Sequence, residues 1–195
     1  MCGRCAWAGP EQIYIDYHDT DWGVPEWDSR ALWEKLVLDG FQAGLSWITI
    51  LKKRDNFRSA FAGFDPDIIA EWGEEDVTRL LADPGIIRHR GKIEATIAGA
   101  RAWRRIENEM GFDTFLWNYV DGAPLQNRFA TQADVPPFTA LSTQMSKDLK
   151  RRGFKFCGPT IVYAFMEACG LVNDHITSCP RHAEVAAMTR SPAPV

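Results

Sequence analysis

No apolar run in the 195-residue sequence approaches the ~20 residues needed to cross a bilayer, and Met1-Cys2-Gly3-Arg4-Cys5 has none of the apolar character of a signal peptide. A cytoplasmic protein with no membrane partner is the expectation. Positive charge is not in excess either. Lys and Arg number 22 against 26 Asp and Glu, a net charge of −4, so nucleic acid could be met only through a local basic patch. Five cysteines, an odd count, argue against a disulfide framework and for free thiols or metal ligands. There is no alternating strand pattern, no internal repeat and no low-complexity tract. What is present is an apolar fraction of 46%, a charged fraction of 25% and eight Trp, which excludes a disordered chain.

The chain reads as helices throughout. Asp28 can cap a helix with apolar positions Leu32, Trp33, Leu36 and Val37. Gly40 reads as its end, and a second apolar helix over residues 43–51 finishes in Lys52-Lys53-Arg54. Pro66 opens a short helix, residues 74–81 another, residues 92–109 a long amphipathic one and residues 112–120 one more. Gly122, Pro124, Pro136 and Pro137 spell an irregular loop over 121–140. Helices over 142–152 and 160–169 flank a tight turn at 153–159, and Gly170 suits a C′ position. Residues before 27 read as non-helical and the tail beyond Cys179 as frayed. The expectation is an all-α single unit: a helical body over 28–169, and a lobe made of residues 1–27 and 170–195.

Three clusters carry chemistry. Lys147, Lys150, Arg151, Arg152 and Lys155 lead into Gly153-Phe154-Lys155-Phe156-Cys157-Gly158-Pro159, where two glycines and a helix start make a seat for phosphate. Arg88, Arg90 and Lys92 form a second cationic group at a helix start. Cys5 and His18 near one end, and His175-x3-Cys179 near the other, can complete a tetrahedral S2N2 zinc site; Cys2 with Cys5, or His182, are alternative ligands. Cys157 and Cys169 flank apolar helix positions and read as core. Trp7, Tyr14, Tyr17, Trp22 and Trp47 share the stretches that hold the metal candidates, an arrangement that suits stacking on a flipped base.

The turn at 153–160, followed by Val172-Asn173-Asp174-His175-Ile176, resembles the helix-hairpin-helix DNA glycosylase superfamily. Gly85-Ile86-Ile87-Arg88-His89-Arg90-Gly91-Lys92 and Gln42-Ala43-Gly44-Leu45-Ser46-Trp47 extend that likeness. With residues 14–25, 42–54, 85–92 and 151–174 taken together, the chain is similar to the 3-methyladenine DNA glycosylase I family over residues 4 to 179. The resemblance implies hydrolysis of the N-glycosidic bond of 3-methyladenine in double-stranded DNA by a monomer. It also implies a structural zinc held by Cys5, His18, His175 and Cys179. Tyr17 and Trp47 would stack on the extruded base, with Tyr14 and Trp22 completing the walls. Gln42 and Leu45 would fill the gap in the duplex, while Gly153, Lys155 and Gly158 hold phosphate.

Asp39 stands where that family's base-recognising carboxylate stands, commonly a glutamate. Asp is one methylene shorter, so its oxygens retract by ~1.5 Å. Asn173 stands where many of the wider superfamily carry a catalytic aspartate. The implied chemistry is therefore monofunctional, with water as nucleophile. Two other readings compete: a non-catalytic module that binds damaged bases, and a thiol-redox or zinc-sensing protein built on Cys2-Gly3-Arg4-Cys5.

Overall fold

The computed structural model describes residues 3–188. Eleven α-helices are found among them. They are α1 (Gln12–Thr20), α2 (Ser29–Gln42), α3 (Trp47–Leu51), α4 (Arg54–Ala60), α5 (Pro66–Ala70), α6 (Glu74–Ala82), α7 (Arg90–Met110), α8 (Phe112–Trp117), α9 (Ala140–Arg152), α10 (Pro159–Ala168) and α11 (Pro180–Ala186). The all-α expectation holds, with one addition. Strands β1 (Leu125–Gln126) and β2 (Val172–Asn173) pair in parallel and tie the 121–139 loop to the chain after α10. Two residues per strand are too few to give an alternating pattern.

Helix α2 is the central element, packing on α7, α10 and α3. Asp28 caps it by accepting the amides of Arg30 and Ala31, a contact worth ~1 kcal/mol. Residues Leu36 to Phe41 are buried without a break, as in a helix surrounded on all sides. The helix does not stop at Gly40 but continues to Gln42. Lys92 explains this: its ammonium donates to the carbonyls of Phe41 (2.8 Å) and Ala43 (2.6 Å), replacing partners that a helix end loses. Lys92 is thus a buried cap rather than part of a surface cationic cluster. Arg90 pairs with Glu74 and Glu94, so of that expected group Arg88 is the exposed cation without an ion pair among the described residues.

Two further expectations change. The segment before residue 27 contains α1 and a 3-10 turn (Ala6–Ala8), and Ile13, Tyr14, Tyr17 and His18 share one face of α1 at i, i+4 spacing. The polar residues between them hid that stripe. Beyond Cys179 the chain forms α11 rather than fraying at once; the rest of the expected frayed tail, residues 189–195, lies outside the described residues, as does Cys2.

The core has two parts. The large one joins α2, α7, α8, α9 and α10 around Trp33, Phe41, Phe112, Phe154 and Phe165. A small second cluster gathers Cys5, Tyr17, Trp22, Leu51, Ala168 and Cys179, which brings the two ends of the chain together.

Candidate base pocket and metal cluster

A cavity of about 210 Å³ lies between α1, α2, α3 and α10. Trp7, Tyr17, Trp22, Trp47, Asp39 and Gln42 line it, as do Lys35, Gln132, Ala164, Glu167 and Ala168. Four of the five aromatic residues expected here are present. Tyr14 stands behind the wall instead: its hydroxyl accepts the Ile48 amide at 2.9 Å and its ring meets Trp7 edge-on. Tyr14 therefore fixes the start of α3, and with it Trp47. The rings interlock, Trp7 with Trp22 at 4.9 Å and Tyr17 with Trp47 at 5.5 Å between centroids, the latter pair tilted by 45°.

Asp39 is 1% exposed, and Lys35 one turn before it on α2 donates to Oδ1 at 2.5 Å. The same ammonium lies 4.0 Å from the centroid of Trp47. Burial pushes the Asp39 carboxyl above its ordinary value, and the charge and hydrogen bond of Lys35 pull it back. Oδ2 of Asp39 has no partner within the protein. Neither do the ring nitrogens of Trp7 and Trp47 or Oε1 of Gln132. These four are among only seven such buried side-chain atoms in the described residues, and all belong to residues lining this one cavity. Buried polar atoms are otherwise almost always paired, so a cluster of orphan donors and acceptors marks a place where a polar ligand completes the bonding.

Lys35, Gln132 and Glu167 were not singled out from the sequence. Lys35 was legible as the i−4 neighbour of Asp39; Gln132 comes from a loop whose path no periodicity sets. Burial, and then the nearby Asp174, push the Glu167 carboxyl well above its ordinary value. Asp174 accepts from Asn127 and Tyr163, both at 2.6 Å, and fixes that end of the cavity. Asn173 does not line the cavity: its amide donates to Gln126 at 2.8 Å and to the His182 carbonyl at 3.0 Å.

Beside the pocket, Cys5, His18, His175 and Cys179 are all buried, and one donor atom from each lies within 4.8 Å of every other. The separations are 3.6 Å from Cys5 Sγ to His175 Nδ1, 3.8 Å from Cys179 Sγ to that same nitrogen, and 3.7 Å from Cys179 Sγ to His18 Nε2. A tetrahedral ion bound at ~2.3 Å to sulfur and ~2.0 Å to nitrogen would set S···N distances of about 3.5 Å. The donor set fits. The other ring nitrogens are already committed, His18 Nδ1 to Asp19 at 2.7 Å and His175 Nε2 to the Trp22 carbonyl at 3.1 Å, which turns the free nitrogens inward. Asp19 is itself clamped by Arg4, whose hydrogen bonds hold its carboxyl at about 2. Gly23 is required here, since a Cβ at its φ of +83° would stand 2.8 Å from His175 Nε2. Of the alternative ligands, His182 bonds to the Asn127 carbonyl instead. Cys157 and Cys169 are buried, as expected for core.

The expected nucleic-acid residues share no single cavity. Gln42 ends α2 at the pocket, and Leu45 tips the following turn with 42% of its surface exposed. Gly153 takes φ +108° to close α9, and Gly158 caps α10. Lys147, Lys150 and Lys155 are exposed, whereas Arg151 and Arg152 pair with Asp148 and Glu109.

Comparison with known proteins agrees with this geometry. The family model described as methyladenine glycosylase matches residues 7–182. The chain is 53% identical over 177 residues to DNA-3-methyladenine glycosylase 1 of Escherichia coli (strain K12), covering 90% of this chain and 95% of that one. A crystal structure of 3-methyladenine DNA glycosylase I superposes with a TM-score of 0.89 at 56% identity, over 91% of this chain and 98% of the other. A tyrosine-to-phenylalanine variant of 3-methyladenine DNA glycosylase I, solved in complex with 3-methyladenine, superposes equally well at 41% identity, over 91% and 96%. The chain belongs to the methyladenine glycosylase family.

Proposed function

We propose that the protein is a monofunctional DNA glycosylase that flips 3-methyladenine out of double-stranded DNA and hydrolyses its N-glycosidic bond. The observation that carries this reading is the cavity itself: interlocked aromatic rings around one buried carboxylate, with orphan polar atoms on four lining residues. Purine methylated at N3 is a cation in DNA, and Asp39 attracts that charge where water is excluded. An accepted exocyclic N–H would occupy Oδ2. A flat ring between Tyr17 and Trp47 needs about 7 Å of space, two van der Waals contacts. Their centroids are 5.5 Å apart, so the two rings part as the base enters.

The step needs little acid–base help. The C1′–N9 bond breaks with its electron pair passing to the base, which leaves neutral, while the positive charge develops on the sugar. A water oxygen then bonds to C1′ and its proton goes to solvent. Lys35, ion-paired with Asp39, has no lone pair for a Schiff base, and Asn173 lies outside the cavity lining. Both features support water as the nucleophile. The turn between α9 and α10 would serve as a helix-hairpin-helix phosphate seat through the amides of Gly153 to Gly158 and through Lys155. Leu45, apolar and exposed next to the pocket mouth at Gln42, suits the gap left in the duplex.

The four-ligand cluster would hold Zn²⁺, with no position left open for an activating water, so the ion's work is to fasten the chain ends and the aromatic wall. The buried, unbridged thiols of Cys157 and Cys169 suit a reducing cytoplasm.

Release of free base from methylated duplex DNA, resolved by chromatography, tests the assignment. Release of 3-methyladenine by the wild type and its loss in Trp47→Ala are expected. Folded, metal-loaded protein that releases no base would instead be a module that only binds damaged DNA.

A further inference from the structure

We propose that Lys35 is a substrate-facing residue of the reaction, an ammonium built into the base pocket that raises the energy of the bound cationic base relative to the neutral base that leaves. This rests on the reading of the cavity as a base pocket.

Three observations carry it. Lys35 lines the cavity, its Nζ is 2.5 Å from Asp39 Oδ1, and the same atom is 4.0 Å from the centroid of Trp47. A carboxylate and an aromatic face are the two contacts a positively charged ring seeks, so Lys35 already holds the seat that a cationic purine would take. Substrate and ammonium must therefore share one carboxylate. Lys35 also lines an adjoining cleft of about 290 Å³ with Glu26 and with Asp21 and Glu34, the latter two paired with Arg54 and Arg58. The groups facing Asp39 from the packed elements are Tyr17 on α1 and Glu167 and Cys169 at α10, none of which supplies a cation.

The consequence follows from where the charge goes. When the C1′–N9 electron pair moves onto the base, the positive charge beside Lys35 disappears and reappears on the sugar. Repulsion between two cations is present in the bound substrate and relieved as the bond breaks, which speeds the step while weakening binding.

The test compares wild type, Lys35→Met and Lys35→Arg as full-length, metal-loaded protein at mildly alkaline pH, which favours the Asp39 carboxylate. Tryptophan fluorescence reads binding of 3,9-dimethyladenine, a cation whose N9 methyl stands for the sugar, and of neutral 9-methyladenine. Lys35→Met should bind the cation about ten-fold more tightly and the neutral base within about two-fold of wild type. Its single-turnover release of 3-methyladenine should fall about ten-fold, with KM falling in step. Lys35→Arg, which keeps the charge, should keep the wild-type preference of the free pocket between the neutral probe and the cation. Unchanged or weaker binding of the cation by folded Lys35→Met would overturn the proposal and leave Lys35 as a support that keeps Asp39 seated. Wild type that binds neither probe and releases no base would overturn the base-pocket reading itself, a different result.

Discussion

Asp39 holds its place through opposing forces. Burial favours its neutral form and Lys35 favours its charge. Since attraction for a cationic base needs the carboxylate, release should be lost as pH falls through a folded-state value above the ordinary 3.8. In Lys35→Met that acid limb should move to still higher pH, because the stabilising charge is gone. Single-turnover rates against pH check both statements, and an acid limb at the ordinary carboxylate value would contradict the first. The sequence marked Asp39 as the carboxylate of interest but not its partner, although the two are one helical turn apart. The family resemblance points from Asp39 forward to the segment carrying Trp47, where α3 begins, and not back along α2 to Lys35.

At the scale of elements, the helices themselves were legible, because caps and punctuation residues sit where their chemistry is needed: Asp28 before α2, Pro66 in α5, Gly153 after α9. What could not be read were elements stabilised from far away in the chain. Helix α2 outlasts Gly40 because Lys92, about fifty residues on, satisfies the carbonyls at its end. Lys92→Met should thus cost about 2–4 kcal/mol through two unpaired acceptors, and should loosen the 43–46 turn. Denaturant unfolding measures the first effect; the second predicts that base release falls further than duplex binding. The α9–α10 turn makes a complementary prediction. Lys155→Ala should weaken all duplexes alike and reduce the slope of log affinity against log salt by about one unit, read from binding titrations at several salt concentrations. A sequence-dependent loss would mean that Lys155 reads bases.

Across the whole molecule, the pocket is assembled where the two ends of the chain meet. Cys5 and His18 share a cluster with His175 and Cys179, and Trp7, Tyr17 and Trp22 are packed against it. Sequence spacing showed that His175 and Cys179 could serve one ion, but only the fold shows that the N-terminal pair reaches it, and that His182 does not. Zinc should bind in a one-to-one ratio. Cys179→Ser or chelation should lower the melting temperature by several degrees or more, with activity lost through the aromatic wall rather than through chemistry. Metal-free protein with an unchanged melting temperature would rule out the fastening role.

One buried carboxylate among edge-on and tilted rings is proposed to select and release the cationic base. Single-turnover release of 3-methyladenine from methylated duplex DNA by Asp39→Asn, beside wild type, tests it most directly. The account predicts a fall of about 100-fold or more with duplex binding and melting temperature retained. Release by Asp39→Asn at the wild-type rate would contradict it.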